Sequence, residues 1–304
     1  GRYFSPMPRH PPQRPLSARC HEEDGRFHRR RASSTTIRPA PHRPDPSSWA
    51  PDALTTAWLG HATVLLNLRG RMILTDPALR PRIGVGLGIG TVGPRRLIQP
   101  ALPIADLPAV DLLLISHAHM DHLDLGTLSR LSRTIPVVTH RHVGDLLTSF
   151  EQVIELAWGE RTTVAGVGIE AIPARHWGAR TITDTHRRFG GFILTHDGAQ
   201  VLFAGDTAYT DLYRGYRDRR IDLALMPIGA YDPWIDHHAS PEEAWAMTLD
   251  LGARHLLPLH HSTFRLSREP AEEPLSRLVA AAGAERDRMV LTEVGQTWTD
   301  PGCP

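Results

Sequence analysis

The segment Ser116-His117-Ala118-His119-Met120-Asp121-His122 constrains this chain more than any other. It follows the run Asp111–Ser116, which reads as a strand, and precedes a helical stretch starting near Leu125. In extended backbone alternate residues face one way, so His117, His119 and Asp121 point to a common side, and the turn into the helix brings His122 round to them. With 18 histidines in 304 residues, such a cluster arises by chance with a probability of roughly 0.004. Donors of this type gathered so closely fit a metal site, and the fold must bring further donors to close it.

Three further positions meet that requirement. His176 ends the run Gly168–Arg175, Asp206 ends Gln200–Gly205, and His260 ends His255–Leu259. Each follows an apolar strand directly, where an α/β sheet presents its functional loops. Gly205 permits close backbone approach just before Asp206. His61, between the small residues Gly60 and Ala62, is expected near the same site.

The surrounding pattern is that of an α/β domain. Strands are expected over Thr56–Leu59, Thr63–Leu68, Met72–Thr75, Asp111–Ser116, Val137–Thr139, Gly168–Ile172, Gly191–Thr195, Gln200–Ala204, Leu223–Pro227, His255–Leu259 and Met289–Thr292. Helices are expected over Leu125–Leu131, Val143–Phe150, Pro241–Leu251 and Pro274–Ala282. Ser240, Pro241 and Glu243 form a capping-box signature at the start of the third.

Composition removes several functions. All 34 basic side chains are arginine, which excludes a lysine nucleophile and a Gly-Lys-Ser/Thr phosphate loop. Residues 1–52 hold 10 of the 26 prolines and a net charge of +5, and read as a flexible or surface-draped extension. Residues 53–304 read as one domain with a net charge of −4 and no basic-aromatic stripe, so nucleic acid is not expected as a partner. Cys20 and Cys303 form neither a disulfide framework nor a Cys-x-x-Cys knuckle, and no apolar run nears the roughly 18 residues that span a bilayer, so a cytoplasmic chain is expected. Gly88 to Gly93 match Gly-x-Gly-x-x-Gly, but Pro94 and the lack of a strand-to-helix context argue against a dinucleotide loop. The 83–93 segment reads either as a mobile apolar loop or as a lip. In the second case Val85, Leu87 and Ile89 touch acyl chains and make a peripheral membrane contact.

His-x-His-x-Asp-His after a strand, then a distant His, Gly205-Asp206-Thr207 and a last His, resembles the signature of the metallo-β-lactamase-fold hydrolases. Trp58-Leu59-Gly60-His61-Ala62-Thr63, Leu74-Thr75-Asp76-Pro77, Leu114-Ile115-Ser116-His117, Phe203-Ala204-Gly205-Asp206-Thr207, Pro227-Ile228-Gly229-Ala230-Tyr231 and Pro241-Glu242-Glu243-Ala244 narrow it. They resemble the N-acylphosphatidylethanolamine-hydrolysing phospholipase D group and its bacterial relatives, over about Ala53 to Thr299. The resemblance implies a four-layer αββα sandwich with metals at one edge of the two sheets. It gives one metal to His117, His119 and His176, a second to Asp121, His122 and His260, and makes Asp206 the bridge. Five imidazoles and two carboxylates without a thiolate suit zinc and tolerate manganese or iron. The lack of a cysteine near the second metal separates the chain from lactam-cleaving relatives.

Two such ions, roughly 3.5–4 Å apart, would share a water and lower its pKa towards about 7, so that a metal-bridging hydroxide attacks a phosphodiester. Asp121 and His238 are the residues expected to be catalytic. His238 matches a family histidine near the substrate and reads either as a surface residue or as the group that positions phosphate or protonates the leaving alkoxide. Asp76 reads either as a carboxylate orienting a metal-bound histidine or as an Asx turn before Pro77. Tyr231 joins His61 and Asp76 as a residue beside ligands or substrate. The expected substrate is an N-acyl phospholipid. Lactone or ester hydrolysis, as in ascorbate-6-phosphate lactonase relatives, is the second enzymatic reading, and a non-catalytic metal-stabilised binding protein the third.

Overall fold

The phase of burial along each strand sorts the chain into two facing sheets. The computed structural model describes residues 36–302 apart from 87 and 89, so Leu87, Ile89 and both cysteines lie outside the described residues. The first sheet begins with β1 (Leu54–Gly60), β2 (Thr63–Leu68) and β3 (Met72–Thr75). After a separate hairpin of β4 (Val85–Gly86) and β5 (Thr91–Val92), it continues with β6 (Leu112–Ile115), β7 (Val137–His140) and β8 (Val153–Leu156). The second sheet takes β9 (Arg161–Val164), β10 (Val167–Ile172), β11 (Gly191–His196), β12 (Ala199–Phe203), β13 (Leu223–Pro227) and β14 (His255–Leu259). A last strand, β15 (Thr297–Thr299), returns to pair with β1. The orders are β15-β1-β2-β3-β6-β7-β8 and β14-β13-β12-β11-β10-β9. β3, β6, β7 and β8 run parallel, as do β12, β13 and β14.

Three helices complete the domain: α1 (Leu125–Leu128), α2 (Pro241–Leu251) and α3 (Glu273–Ala282). Val201 and Phe203 of β12 and Leu223 and Leu225 of β13 pack into one core with Trp58, Leu65 and Leu113 of the first sheet. Their neighbours Leu202, Ala224 and Met226 face the other way, onto Trp245 and Leu251 of α2 and Leu278 of α3. A strand buried on both faces carries no polar alternation, which is why β13 reads Leu-Ala-Leu-Met-Pro. The layers are those of an αββα sandwich. No helix of the described residues is long and apolar enough to cross a membrane.

The outer layer on the first sheet is thinner than expected. Leu125–Leu131 shortens to the four residues of α1, and Val143–Phe150 to one 3-10 turn at Gly144–Leu146. Gly126, Gly144, Thr148 and Ser149 are weak helix formers, and the segments bury leucines without needing further turns. Met289–Thr292 makes only an isolated bridge, Leu256 with Met289, and the last strand is instead Thr297–Thr299, at the edge of the first sheet beside β1. β8 and β9 were not expected, because Glu155, Arg161, Thr162 and Thr163 interrupt their apolar pattern. Residues 36–52 lie along the domain, with Arg38 N–H donating to Leu97 O at 3.0 Å and His42 N–H to Val294 O at 3.3 Å, while Ala40 and Trp49 pack at the edge of the core.

His140, at the end of β7, is wholly buried and stacks on Phe192 at 4.6 Å. Burial pushes its imidazole down to about 4 from an ordinary 6.5. The unfolded chain therefore binds a proton here before the folded chain does. The stability this neutral imidazole contributes is complete above pH 6.5 and is lost as pH falls towards 4. In urea titrations from pH 7 to 4, His140→Leu is expected to lose less stability than the native chain, with a difference on the order of 3 kcal/mol.

Candidate metal centre

Four strands deliver the donors from their C-terminal ends. His117, His119, Asp121 and His122 follow β6, His176 follows β10, Asp206 follows β12 and His260 follows β14. Gly205 makes the junction between the sheets possible. Its φ is +64°, and a Cβ there would meet Gly190 O and Ser116 Cβ, each at 2.8 Å. Only glycine lets the end of β12 lie against the loop after β6. The β1–β2 turn is fixed as tightly: Trp58 Nε1–H donates to His61 O at 2.8 Å, and His61 N–H donates to Thr263 Oγ1 at 2.7 Å. Behind it the buried Arg96 donates to Ile98 O, Leu59 O and Ala78 O, and a Cβ on Gly60 would meet its Nη2 at 2.5 Å. His61, Asp76 and His260 all have positive φ, at 58°, 32° and 64°. Such strain in non-glycine residues collects where a site over-determines the backbone.

The donor atoms form two groups. In one, His119 Nδ1 lies 2.8 Å from His117 Nε2 and 3.2 Å from His176 Nε2. In the other, Asp121 Oδ2 lies 3.3 Å from His260 Nε2 and 3.4 Å from His122 Nε2. Asp206 Oδ2 is reached from both. It stands 3.1 Å from His122 Nε2 and from His260 Nε2, 3.8 Å from His176 Nε2 and 3.9 Å from His117 Nε2.

Hydrogen bonds behind the rings decide what these atoms can do. Asp76 Oδ2 accepts from His122 Nδ1–H at 2.6 Å and from Ser116 Oγ–H at 2.5 Å, and Asp76 Oδ1 accepts from Ser116 N–H at 2.8 Å. With its proton committed to Asp76, Ser116 Oγ accepts from His117 Nδ1–H at 2.8 Å. His176 Nδ1–H donates to His237 O at 2.9 Å. The Nε2 atoms of His117, His122 and His176 therefore carry lone pairs. These lone pairs face other nitrogens or carboxylate oxygens, and buried His122 Nε2 has no hydrogen-bond partner among the described residues. Nitrogen and carboxylate oxygen atoms converging at these distances fit divalent cations.

The electrostatics differ between the groups. Burial pushes His117 and His176 well below the ordinary imidazole range, and His119 down to about 4. Burial opposes charge on His122 and His260 too, but Asp206 and Asp121 overcome it, raising His122 well above its usual value and His260 to about 9. Burial would raise Asp121 and Asp206, yet the facing imidazoles hold both well below the carboxylate range. The second group is thus a place where positive charge is strongly favoured.

The structure brings all seven predicted donors together. It also places His61 among them, with Nε2 2.8 Å from Asp121 Oδ2. His238 is buried, its Nδ1 lacks a partner, and that atom lies 3.8 Å from Asp206 Oδ2. The capping box of α2, with Ser240 N–H to Glu243 Oε2 at 2.9 Å and Glu243 N–H to Ser240 Oγ at 3.3 Å, anchors the chain just after it. Tyr231 turns its hydroxyl to Glu273 Oε1 at 2.8 Å and its ring to Arg277, so it contacts α3 rather than the donors. Sequence reasoning missed Ser116, whose role needs the fold, and Trp177, whose ring stands 4.7 Å from His119 and 4.4 Å from His176. The indole's position beside His176 in sequence was the available signal. Arg180 was missed as well. Its Nη1 donates to Ala118 O and Leu123 O, both at 2.8 Å, and so spans the loop after β6.

The profile of the beta-lactamase superfamily domain matches residues 71–261, which contain every one of the seven donors. The chain belongs to the metallo-β-lactamase superfamily. It is a metal-dependent hydrolase of that superfamily. An uncharacterised protein of Mycobacterium tuberculosis is 36% identical over 289 residues, 90% of this chain and 77% of that one. N-acyl-phosphatidylethanolamine-hydrolyzing phospholipase D 1 of Caenorhabditis elegans is 31% identical over 271 residues, 81% of this chain and 75% of that one. A metallo hydrolase structure from Ignicoccus hospitalis is 23% identical, with a TM-score of 0.61 over 83% of this chain and 100% of that one, and speaks to the metallo-β-lactamase fold alone.

Asp76→Ala is expected to weaken metal binding about 10–100-fold, read by competition with a chromophoric chelator. Ser116→Ala, which removes the hydroxyl between Asp76 and His117 but leaves the bond from Asp76 to His122, is expected to weaken it less. Chelation of the native protein is expected to lower its Tm, because the ions bind only the folded donor set.

Proposed function

We propose that the chain is a binuclear metal-dependent phosphodiesterase acting on N-acylphosphatidylethanolamine-like phospholipids. His117, His119 and His176 would hold one ion, Asp121, His122 and His260 the second, and Asp206 both; the donor chemistry favours zinc. The observation that carries this reading is Asp206 Oδ2, a single oxygen within 3.1–3.9 Å of imidazole nitrogens from both groups. The Caenorhabditis elegans relative, whose name specifies N-acyl-phosphatidylethanolamine, supports the substrate class. When bound, the ions supply Lewis-acid polarisation of a phosphoryl oxygen and a water activated for attack.

The chain's own residues prepare that chemistry. Asp76 and Ser116 hold His122 and His117 in the ligating tautomer, and His61 fixes the orientation of Asp121. Trp177 shields His119 and His176 from solvent with its ring. His238 directs Nδ1 at Asp206, which leaves its other ring nitrogen for the substrate. A neutral imidazole placed this way positions the substrate by donating the hydrogen of that nitrogen to a phosphoryl oxygen.

Incubation with N-acylphosphatidylethanolamine in detergent micelles is expected to yield an N-acylethanolamine and phosphatidic acid, and a bis-aryl phosphodiester is expected to be cleaved. Turnover of a lactone with neither phosphodiester touched would transfer the site to lactone hydrolysis. His238→Ala is expected to lower kcat about 100-fold with metal content unchanged. In Asp206→Ala the bound metal is expected to fall below two ions per chain, and intact stoichiometry would refute the bridge.

A further inference from the structure

Glu269 is a buried carboxylate, 7% exposed, that belongs to neither donor group. It lies on the loop between β14 and α3, and both of its oxygens are spent on backbone. Oε1 accepts from Ala230 N–H at 2.6 Å and Oε2 from Asp232 N–H at 3.2 Å. An anion taken out of water needs charge-assisted bonds of this kind, and both of these go to one short stretch of chain. That stretch, residues 228–240, joins β13 to α2 and carries His237 and His238.

The stretch lies against donor-bearing loops at each end. A Cβ on Gly229 would run into His260 O, and Ala239 N–H donates to Thr207 O at 2.8 Å, one residue past Asp206. Between these ends the turn at Ala230 needs holding. Its φ is +65°, a left-handed conformation that a Cβ disfavours, and its N–H is the one that Glu269 takes at the shorter distance. Arg268 N–H donates to Asp232 O at 2.9 Å, so Asp232 is gripped through its carbonyl as well as its amide.

The two histidines farther along are held unequally. His237 O is tied to His176 Nδ1–H at 2.9 Å, whereas buried His238 Nδ1 has no hydrogen-bond partner among the described residues and points at Asp206 Oδ2 from 3.8 Å. The place of the His238 ring therefore depends on the backbone to either side of it. The capping box of α2 fixes the side that follows, and Glu269 fixes the side that precedes.

We propose that Glu269 is a positioning residue for hydrolysis: by fixing the left-handed turn at Ala230 it sets where His238 stands relative to Asp206. The proposal deepens the phosphodiesterase reading of the site and rests on it for turnover, but not for the placement of the ring.

Glu269→Gln keeps the shape of the side chain and turns one accepting oxygen into an amide donor. In the zinc-loaded full chain it is expected to lower kcat for a bis-aryl phosphodiester about tenfold, with KM within about twofold of native and metal content unchanged. In a His238→Ala chain the same change is expected to cost nothing further, since the group it positions is gone. Ala230→Gly is expected to return most of the lost kcat to Glu269→Gln, because glycine adopts a positive φ unaided. In proton–nitrogen spectra the His238 ring signals, identified by their loss in His238→Ala, are expected to move in Glu269→Gln. If Glu269→Gln does not fold, Glu269→Asp, which keeps the charge and shortens the reach, takes its place in every comparison. A loss of about tenfold repeated in His238→Ala, no recovery with Ala230→Gly, or His238 signals that stay in place would each overturn the proposal. Native protein that leaves the phosphodiester intact sinks the phosphodiesterase reading alone, and the ring signals then decide on Glu269 by themselves.

Discussion

One buried carboxylate, Asp76, sets the protons on which the rest of the centre depends. It receives Ser116 N–H, Ser116 O–H and His122 Nδ1–H, and through Ser116 it also decides which nitrogen of His117 is bare. Burial pushes this carboxyl up, and His122 and Ser116 oppose that. An isolated carboxylate in such a place would be costly, and the three donors offset the loss of water. The backbone around it is arranged to the same end. Thr63 Oγ1–H donates to Asp76 O at 2.8 Å, and Thr75 Oγ1–H donates to Ala62 O at 2.8 Å, which binds the turn after β1 to the end of β3.

The asymmetry of the two donor groups follows from where the carboxylates fall. Asp121 and Asp206 both face His122 and His260, whereas His117 and His176 of the other group reach Asp206 only at longer range. The first group is a nest of neutral nitrogens made by burial. The second is an anionic niche that draws positive charge even from protons. His61 and His238 flank this niche, their rings 4.2 and 5.2 Å from that of His260.

The seven residues that cluster at the sheet edge were legible in the sequence because each obeys a local rule: alternation within the segment after β6, and a ligand type placed directly after an apolar run. The double-sided core was legible in the same way, since β12, β13 and β14 read as unbroken apolar stretches. What depended on long-range contact was not legible. Ser116 looks like a strand-ending serine until Asp76, forty residues earlier, is seen beneath it. Asp76 itself could have been a local turn residue, and only its bond to His122 decides the matter. The lengths of α1 and of the turn at Gly144–Leu146 escaped because apolar spacing marks burial without saying how many turns sustain it. Tyr231 shows the converse, a residue inside a matching motif whose hydroxyl is spent on α3.

The contact between Gly205 and Ser116 has a mechanical meaning. Two stacked sheets held by interdigitated alkyl groups slide past each other more readily than they separate. Here no long side chain stands between the sheets, because the backbone of Gly205 lies directly against Ser116 Cβ. At the opposite end the sheets are joined instead through a long side chain, Arg69, whose Nη1 donates to Asp197 O at 3.0 Å. The donors therefore stand beside the stiffer of the two contacts between the sheets, and the bendable one lies at the end away from them.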